Sequence, residues 1–67
     1  MIKVMKIDGM ICAHNGVVVK SALEGLEGVK EAIVNYENGT AVLTLNKKVN
    51  DSTLKDAVTG QGYTVIG

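Results

Sequence analysis

One short stretch, Gly9-Met10-Ile11-Cys12-Ala13-His14-Asn15, holds the only cysteine and the only histidine of the chain, just behind a glycine. A thiolate is a nucleophile and a ligand for soft metal ions, and an imidazole is a base or a metal ligand, so this stretch is the one whose residue types admit site chemistry. A lone cysteine has no internal disulfide partner, which leaves its thiol three roles: apolar filler, metal ligand, or handle for another molecule. The flanking elements favour the last two. Before the stretch, the apolar-rich run Ile2 to Ile7, interleaved with Lys3 and Lys6, suits a strand, and after it Val19, Ala22, Leu23 and Leu26 recur at the i, i+3, i+4, i+7 spacing of a one-sided helix. Cys12 is therefore expected on a strand-to-helix loop, where unpaired backbone N–H groups and the helix dipole favour a thiolate.

An enzyme using Cys12 as nucleophile and His14 as base is not expected, because no third group orients them and a chain this small encloses no substrate pocket. The neighbours of Cys12 have plainer roles. His14 reads as a solvated surface imidazole, and Asn15, among the best N-cap residues, reads as the cap of the helix. Met10, Met1 and Met5 read as core, Tyr63 as a packing residue with its hydroxyl at the surface, and Lys47-Lys48 as a wet turn.

Composition narrows the partners. Seven lysines against seven acidic residues give a formal net charge of zero, which lacks the basic surplus that nucleic acid or an anionic membrane surface requires. No run approaches the roughly 20 apolar residues of a membrane span, and the N-terminus has no signal-peptide h-region, so the expectation is a soluble, cytoplasmic chain. With two tyrosines, no phenylalanine and no tryptophan, the core must be built from Val, Ile, Leu, Met and Ala. Sixty-seven residues without linker or low-complexity tract are expected to form a single domain, 1–67, near the size where one core is only just adequate.

The alternation of the first strand sets Met5 and Ile7 on one face and Ile2, Val4 and Lys6 on the other, the two-sided apolar pattern of a central strand. Asp8-Gly9 breaks it. A helix is expected from about Asn15 to Glu24, with Gly25 or Gly28 supplying a left-handed residue at its end and Lys20, Ser21, Glu24 and Glu27 forming a solvated face. A second strand, Val29 to Tyr36, and a third, Thr40 to Leu45, flank Asn38-Gly39, which predicts a type I′ hairpin turn with φ > 0 at both residues. Asn50 is the expected N-cap of a second helix with Asp51 in its first turn and Leu54, Ala57 and Val58 as its apolar stripe. That helix stops before Gly60-Gln61-Gly62, and Tyr63 to Ile66 makes a last short strand. The order β-α-β-β-α-β predicts an α+β, ferredoxin-like two-layer sandwich, a four-stranded antiparallel sheet with both helices on one face.

Taken together, the Gly9 to Asn15 loop, Val19 with Ala22-Leu23, Gly28-Val29, Asn38-Gly39, Leu54 with Ala57-Val58, and Gly62-Tyr63 resemble the heavy-metal-associated domain over nearly the full length. That family includes bacterial copper chaperones and the N-terminal modules of copper-transporting ATPases. Its usual loop reads Gly-Met-Thr-Cys-x-x-Cys, and in its bacterial members the aromatic at the Tyr63 position packs beside that loop. The resemblance implies the same fold and a metal-transport role, with Cys12 as the residue that carries over as a metal ligand, His14 as an accessory at most, and Met10 as the loop's anchor in the core. The departure lies at the site: Asn15 stands where the family has its second cysteine, and Ile11 where it has threonine.

Cu(I) is soft and is satisfied by two thiolates, whereas an Asn amide is a hard, neutral and weak ligand, so Cys12 with Asn15 does not replace a two-thiolate site. Three remedies are open: Cys12 with His14, Cys12 from two copies bridging one metal in a homodimer, or an external thiol such as glutathione. The resemblance thus implies a soft-metal binding or trafficking module with a reduced site, Cu(I) first and other soft metal ions still open, and a copper-transporting ATPase or related domain as partner. The alternative is a module that no longer binds metal and acts in protein–protein interaction.

Overall fold

The computed structural model describes all 67 residues. Its elements are β1 (Ile2–Asp8), α1 (Ala13–Glu24), β2 (Val29–Asn35), β3 (Thr40–Leu45), α2 (Asp51–Thr59) and β4 (Thr64–Val65). The strands form one antiparallel sheet in the order β2-β3-β1-β4, which is the expected ferredoxin-like topology with β1 in an interior lane. Boundaries shift by one or two residues: α1 starts at Ala13 rather than Asn15, β2 stops before Tyr36, and β4 spans only Thr64–Val65.

One cluster of 12 buried apolar residues joins the sheet to both helices, with Met5 and Ile7 of β1, Ala41, Leu43 and Leu45 of β3, Val19 and Leu23 of α1, and Leu54 and Val58 of α2 among them. Fully burying one such Leu or Val side chain is worth about 1.5–3 kcal/mol, so in a chain this small each contributes visibly to the balance. The other face of β1 behaves differently. Ile2 and Val4, read as the second covered face of a central strand, stay more than half exposed, as does Ile33 of β2. Both helices pack on the opposite side, so β1 is interior in its sheet yet covered on one face only.

The β2–β3 hairpin forms where expected but with another turn. The last strand pair is Asn35 with Thr40, leaving a four-residue loop, and Gly39 alone takes positive φ there, at +69°; Asn38, like every non-glycine residue, keeps φ negative. Side-chain acceptors replace the type I′ geometry. Asn35 Oδ1 accepts from the backbone N–H groups of Glu37 and Asn38, and Asn38 Oδ1 accepts from the N–H and hydroxyl of Thr40. The loop also docks on β1, since Ile7 N donates to Gly39 O at 2.7 Å and a Cβ on Gly39 would lie 2.6 Å from the Ile7 carbonyl oxygen.

Gly25 ends α1 in ordinary right-handed conformation with φ −75°; of the two glycines proposed for a left-handed residue, Gly28 takes it, at φ +98°, after the chain has left the helix. Lys20 and Glu24 are not merely solvated. Glu24 Oε2 accepts from Lys20 Nζ at 2.8 Å and from Ala32 N at 3.0 Å, while Lys20 Nζ donates to Ala32 O, so the pair occupies both backbone groups of Ala32 on the sheet's outer edge strand. The Lys20 hydrogen bond, followed by that of the Ala32 N–H, holds the Glu24 carboxyl below its ordinary range.

Candidate metal-binding loop

Four residues, Gly9 to Cys12, separate β1 from α1, and each contributes a different restraint. Gly9, at φ +105°, lets the chain leave the strand; a Cβ there would lie 3.3 Å from Tyr63 Cδ1, so the Tyr63 ring packs against the root of the loop. Met10 turns inward and is 8% exposed, which pins the loop to the core. Ile11 then points out at 85% exposure, the most exposed large apolar side chain of the chain, and Val17 on the first turns of α1 is also exposed.

Cys12 is the N-cap of α1, with extended φ −152° and ψ 168°. Its carbonyl accepts the Asn15 and Gly16 N–H groups at 3.0 and 3.4 Å, and its side chain makes no capping bond. The thiol is free and exposed. Asn15, expected as the cap, sits instead three residues inside, in the first turn, because the Cys12 backbone already has the extended conformation that opens the helix. From there its Oδ1 accepts the Ile11 N–H at 3.0 Å. The bond is like the reach-back of a capping box but extends one residue further, to the N–H of Ile11 before the N-cap Cys12 rather than to that of the N-cap.

His14 lies in the same turn, exposed and without a hydrogen bond. The first turn of α1 contains no acidic residue, so no carboxylate competes with an external anion for the helix dipole. No group of three or more His, Cys, Asp or Glu side chains converges anywhere in the molecule. The loop therefore presents one sulfur at a helix start, with the amide oxygen of its nearest polar neighbour already committed to the backbone. That arrangement can donate one soft ligand to a metal ion and cannot by itself close a two-sulfur site. No helix is long and apolar enough to cross a membrane.

Proteins of known sequence and structure share this shape. The chain is 42% identical over 65 residues to the copper chaperone CopZ of Staphylococcus aureus (strain JH9), a match covering 96% of each sequence. The solved structure of a CopZ metallochaperone superposes with a TM-score of 0.92 at 39% identity, covering 98% of this chain and 100% of the other. The N-terminal domain of a potential copper-translocating P-type ATPase from Bacillus subtilis, solved in its Cu(I)-loaded state, superposes with a TM-score of 0.85 at 34% identity, over 96% of this chain and 81% of that one. Residues 4–64 match the heavy-metal-associated domain. With the loop, the flanking elements and the Tyr63 contact in their places, the chain belongs to the heavy-metal-associated domain family.

Proposed function

We propose that this chain is a copper-chaperone-like carrier of a soft metal ion, Cu(I) first, in which Cys12 supplies the one protein thiolate and a second thiolate comes from outside the chain. The observation that carries the reading is the pairing of an exposed Cys12 at the start of α1 with an Asn15 whose amide oxygen is bonded to the Ile11 N–H. Asn15 thereby keeps the loop in shape without offering a ligand. Cu(I) held by one protein sulfur retains an open position, which an incoming thiolate fills before the metal is handed over. His14, two residues on and free of hydrogen bonds, is the accessory ligand in this reading.

The second thiolate has two protein sources: Cys12 of another copy, bridging one metal across a twofold axis, or a cysteine of a partner domain. The CopZ and ATPase-domain likenesses support a copper-transporter domain as that partner, and the exposed Ile11 and Val17 give the loop an apolar rim on which such a domain can seat. The cytoplasm, where thiols stay reduced, is the compartment in which a one-cysteine carrier works.

The test is a Cu(I) titration against a competing chromophoric chelator under reducing conditions, with mass followed by light scattering. Uptake at one metal per two chains with a doubling of mass identifies the Cys12-bridged pair; uptake only with added glutathione identifies the external thiol. No competition at any ratio, with or without added thiol, overturns metal carriage and leaves a protein-interaction module.

A further inference from the structure

A side-chain amide is most open to attack by its own backbone where asparagine precedes glycine, because no side chain on the next residue shields the attacking nitrogen. Two asparagines of the chain, Asn15 and Asn38, stand before a glycine. By sequence the two pairs are alike, and the fold treats them differently. At Asn15 both reacting groups are engaged. Its Oδ1 accepts the Ile11 N–H at 3.0 Å, which draws the side chain back toward the residues before the helix, and Gly16 N donates to Cys12 O at 3.4 Å within the first turn of α1. Gly16 is also buried, and a Cβ there would touch Tyr36 and Val34 at 3.6 and 3.7 Å. Attack on the Asn15 amide therefore requires that turn to open.

At Asn38 the opposite holds. The residue is exposed in the loop between β2 and β3. Gly39 N donates to no group of the protein, while Gly39 O is held by Ile7 N at 2.7 Å, so the nitrogen is free on a residue that is itself fixed. Asn38 Oδ1 accepts from Thr40 N at 3.2 Å and from Thr40 Oγ1 at 2.5 Å. The first of these bonds reaches two residues on, which folds the amide over the Asn38–Gly39 peptide link and brings Cγ beside Gly39 N. Both donors also point at the oxygen on which negative charge gathers when Cγ is attacked, as the donors of an oxyanion hole do.

We propose that Asn38 is a site of self-modification, where the chain converts its own side-chain amide to a carboxylate with water as the only co-reactant. Gly39 N gives its proton to solvent hydroxide and bonds to Asn38 Cγ. The Cγ–Nδ2 bond then breaks, and the amide nitrogen takes a proton from water and leaves as ammonia. Water adds to either carbonyl of the resulting cyclic imide and reopens it as aspartate or isoaspartate at position 38. Thr40 is the positioning residue of the step. The product adds a negative charge to a chain of zero formal net charge. Isoaspartate also lengthens the backbone in a turn without slack, since a Cβ on Gly39 would lie 2.6 Å from Ile7 O, so the end of β1 that leads into the Cys12 loop is loosened. The thiol takes no part, and the inference does not rest on metal binding.

The test holds the reduced protein at mildly alkaline pH and body temperature and follows amide-to-acid conversion at each asparagine by peptide mass mapping. In the folded protein Asn38 should convert about tenfold faster than Asn15, which waits on local opening. In concentrated urea the two should convert alike. Anion exchange should resolve the converted chain, and its Ile7 amide should exchange faster with solvent than the parent's. Thr40→Val should slow conversion of Asn38 about fivefold, the worth of one hydrogen bond in an exposed turn, and Thr40→Ser, which keeps the hydroxyl, should restore it. Equal rates at Asn15 and Asn38 in the folded protein, slower conversion of Asn38 folded than in urea, or a Thr40→Val rate equal to the parent's overturns the proposal.

Discussion

The two helices of this molecule begin in opposite ways. Helix α2 starts at Asn50, carries Asp51 in its first turn, and has that carboxylate paired with Lys3, so its positive dipole end meets a negative charge supplied by the chain itself. Helix α1 starts at Cys12, has no acidic residue in its first turn, and closes the loop before it through the neutral amide of Asn15. One helix start meets an acidic side chain of its own chain, and the other has none, only the exposed thiol of Cys12. The shared topology explains neither choice; the difference lies in three side chains, Cys12, Asn15 and Asp51.

Substitutions that break this contrast rank themselves by effect. The largest change should come from Cys12→Ser, which removes the only sulfur of the loop: thiol-dependent Cu(I) uptake in the chelator competition should be lost while the far-UV spectrum and melting temperature stay close to the parent's, because Cys12 makes no side-chain capping bond. Asn15→Cys sharpens the contrast instead. It places a second thiolate in the first turn, so Cu(I) should bind one per monomer and tighter by about a hundredfold or more, some 2.8 kcal/mol at 1.4 kcal/mol per tenfold. A variant that folds normally yet binds no tighter would show that the two positions do not converge on one ion.

Smaller effects concern the framework. Asn15→Ala removes the acceptor for Ile11 N–H and should lower stability by about 0.5–1 kcal/mol in denaturant unfolding, with faster amide exchange at Ile11. At the other end of α1, the lowered Glu24 carboxyl means that the folded state binds fewer protons than the unfolded state as pH falls. Its stabilisation is complete above the ordinary carboxylate range and is lost as pH drops through the lower, folded value, so Glu24→Gln should flatten the acid limb of a melting-temperature profile and leave neutral pH less stable than the parent. The smallest change is expected from Asp51→Asn, which makes α2 resemble α1 at its start. Its ion pair with Lys3 is exposed, so the loss should stay within about 0.5 kcal/mol by thermal melting and shrink in high salt.

Much of this architecture is legible in the residues. Period-two and period-3.6 patterns locate every element, the position of Asn50 before Asp51 locates the second helix start, and Cys12 marks the loop by being the only residue of its kind. The errors share a cause. Asn15 as a cap, Asn38 in a type I′ turn, and Lys20 with Glu24 as a solvated face were all read from what a side chain prefers on its own. Each is decided by which group of another residue it meets: the Ile11 N–H before the helix, the Asn35 amide oxygen that accepts the Asn38 N–H, and the backbone of Ala32 on the neighbouring strand.

Composition and order of residues by themselves determined the βαββαβ order, the apolar stripe of each helix, and the single thiol of the loop, because hydrophobic periodicity and residue type are properties of the chain taken locally. Tertiary structure alone decided that Asn15 serves the backbone, that Lys20 and Glu24 occupy the backbone groups of Ala32, that β1 is covered on one face only, and that Tyr63 rests on Gly9. Those outcomes depend on which polar groups are brought within about 3 Å of one another, a distance that only the packed elements set.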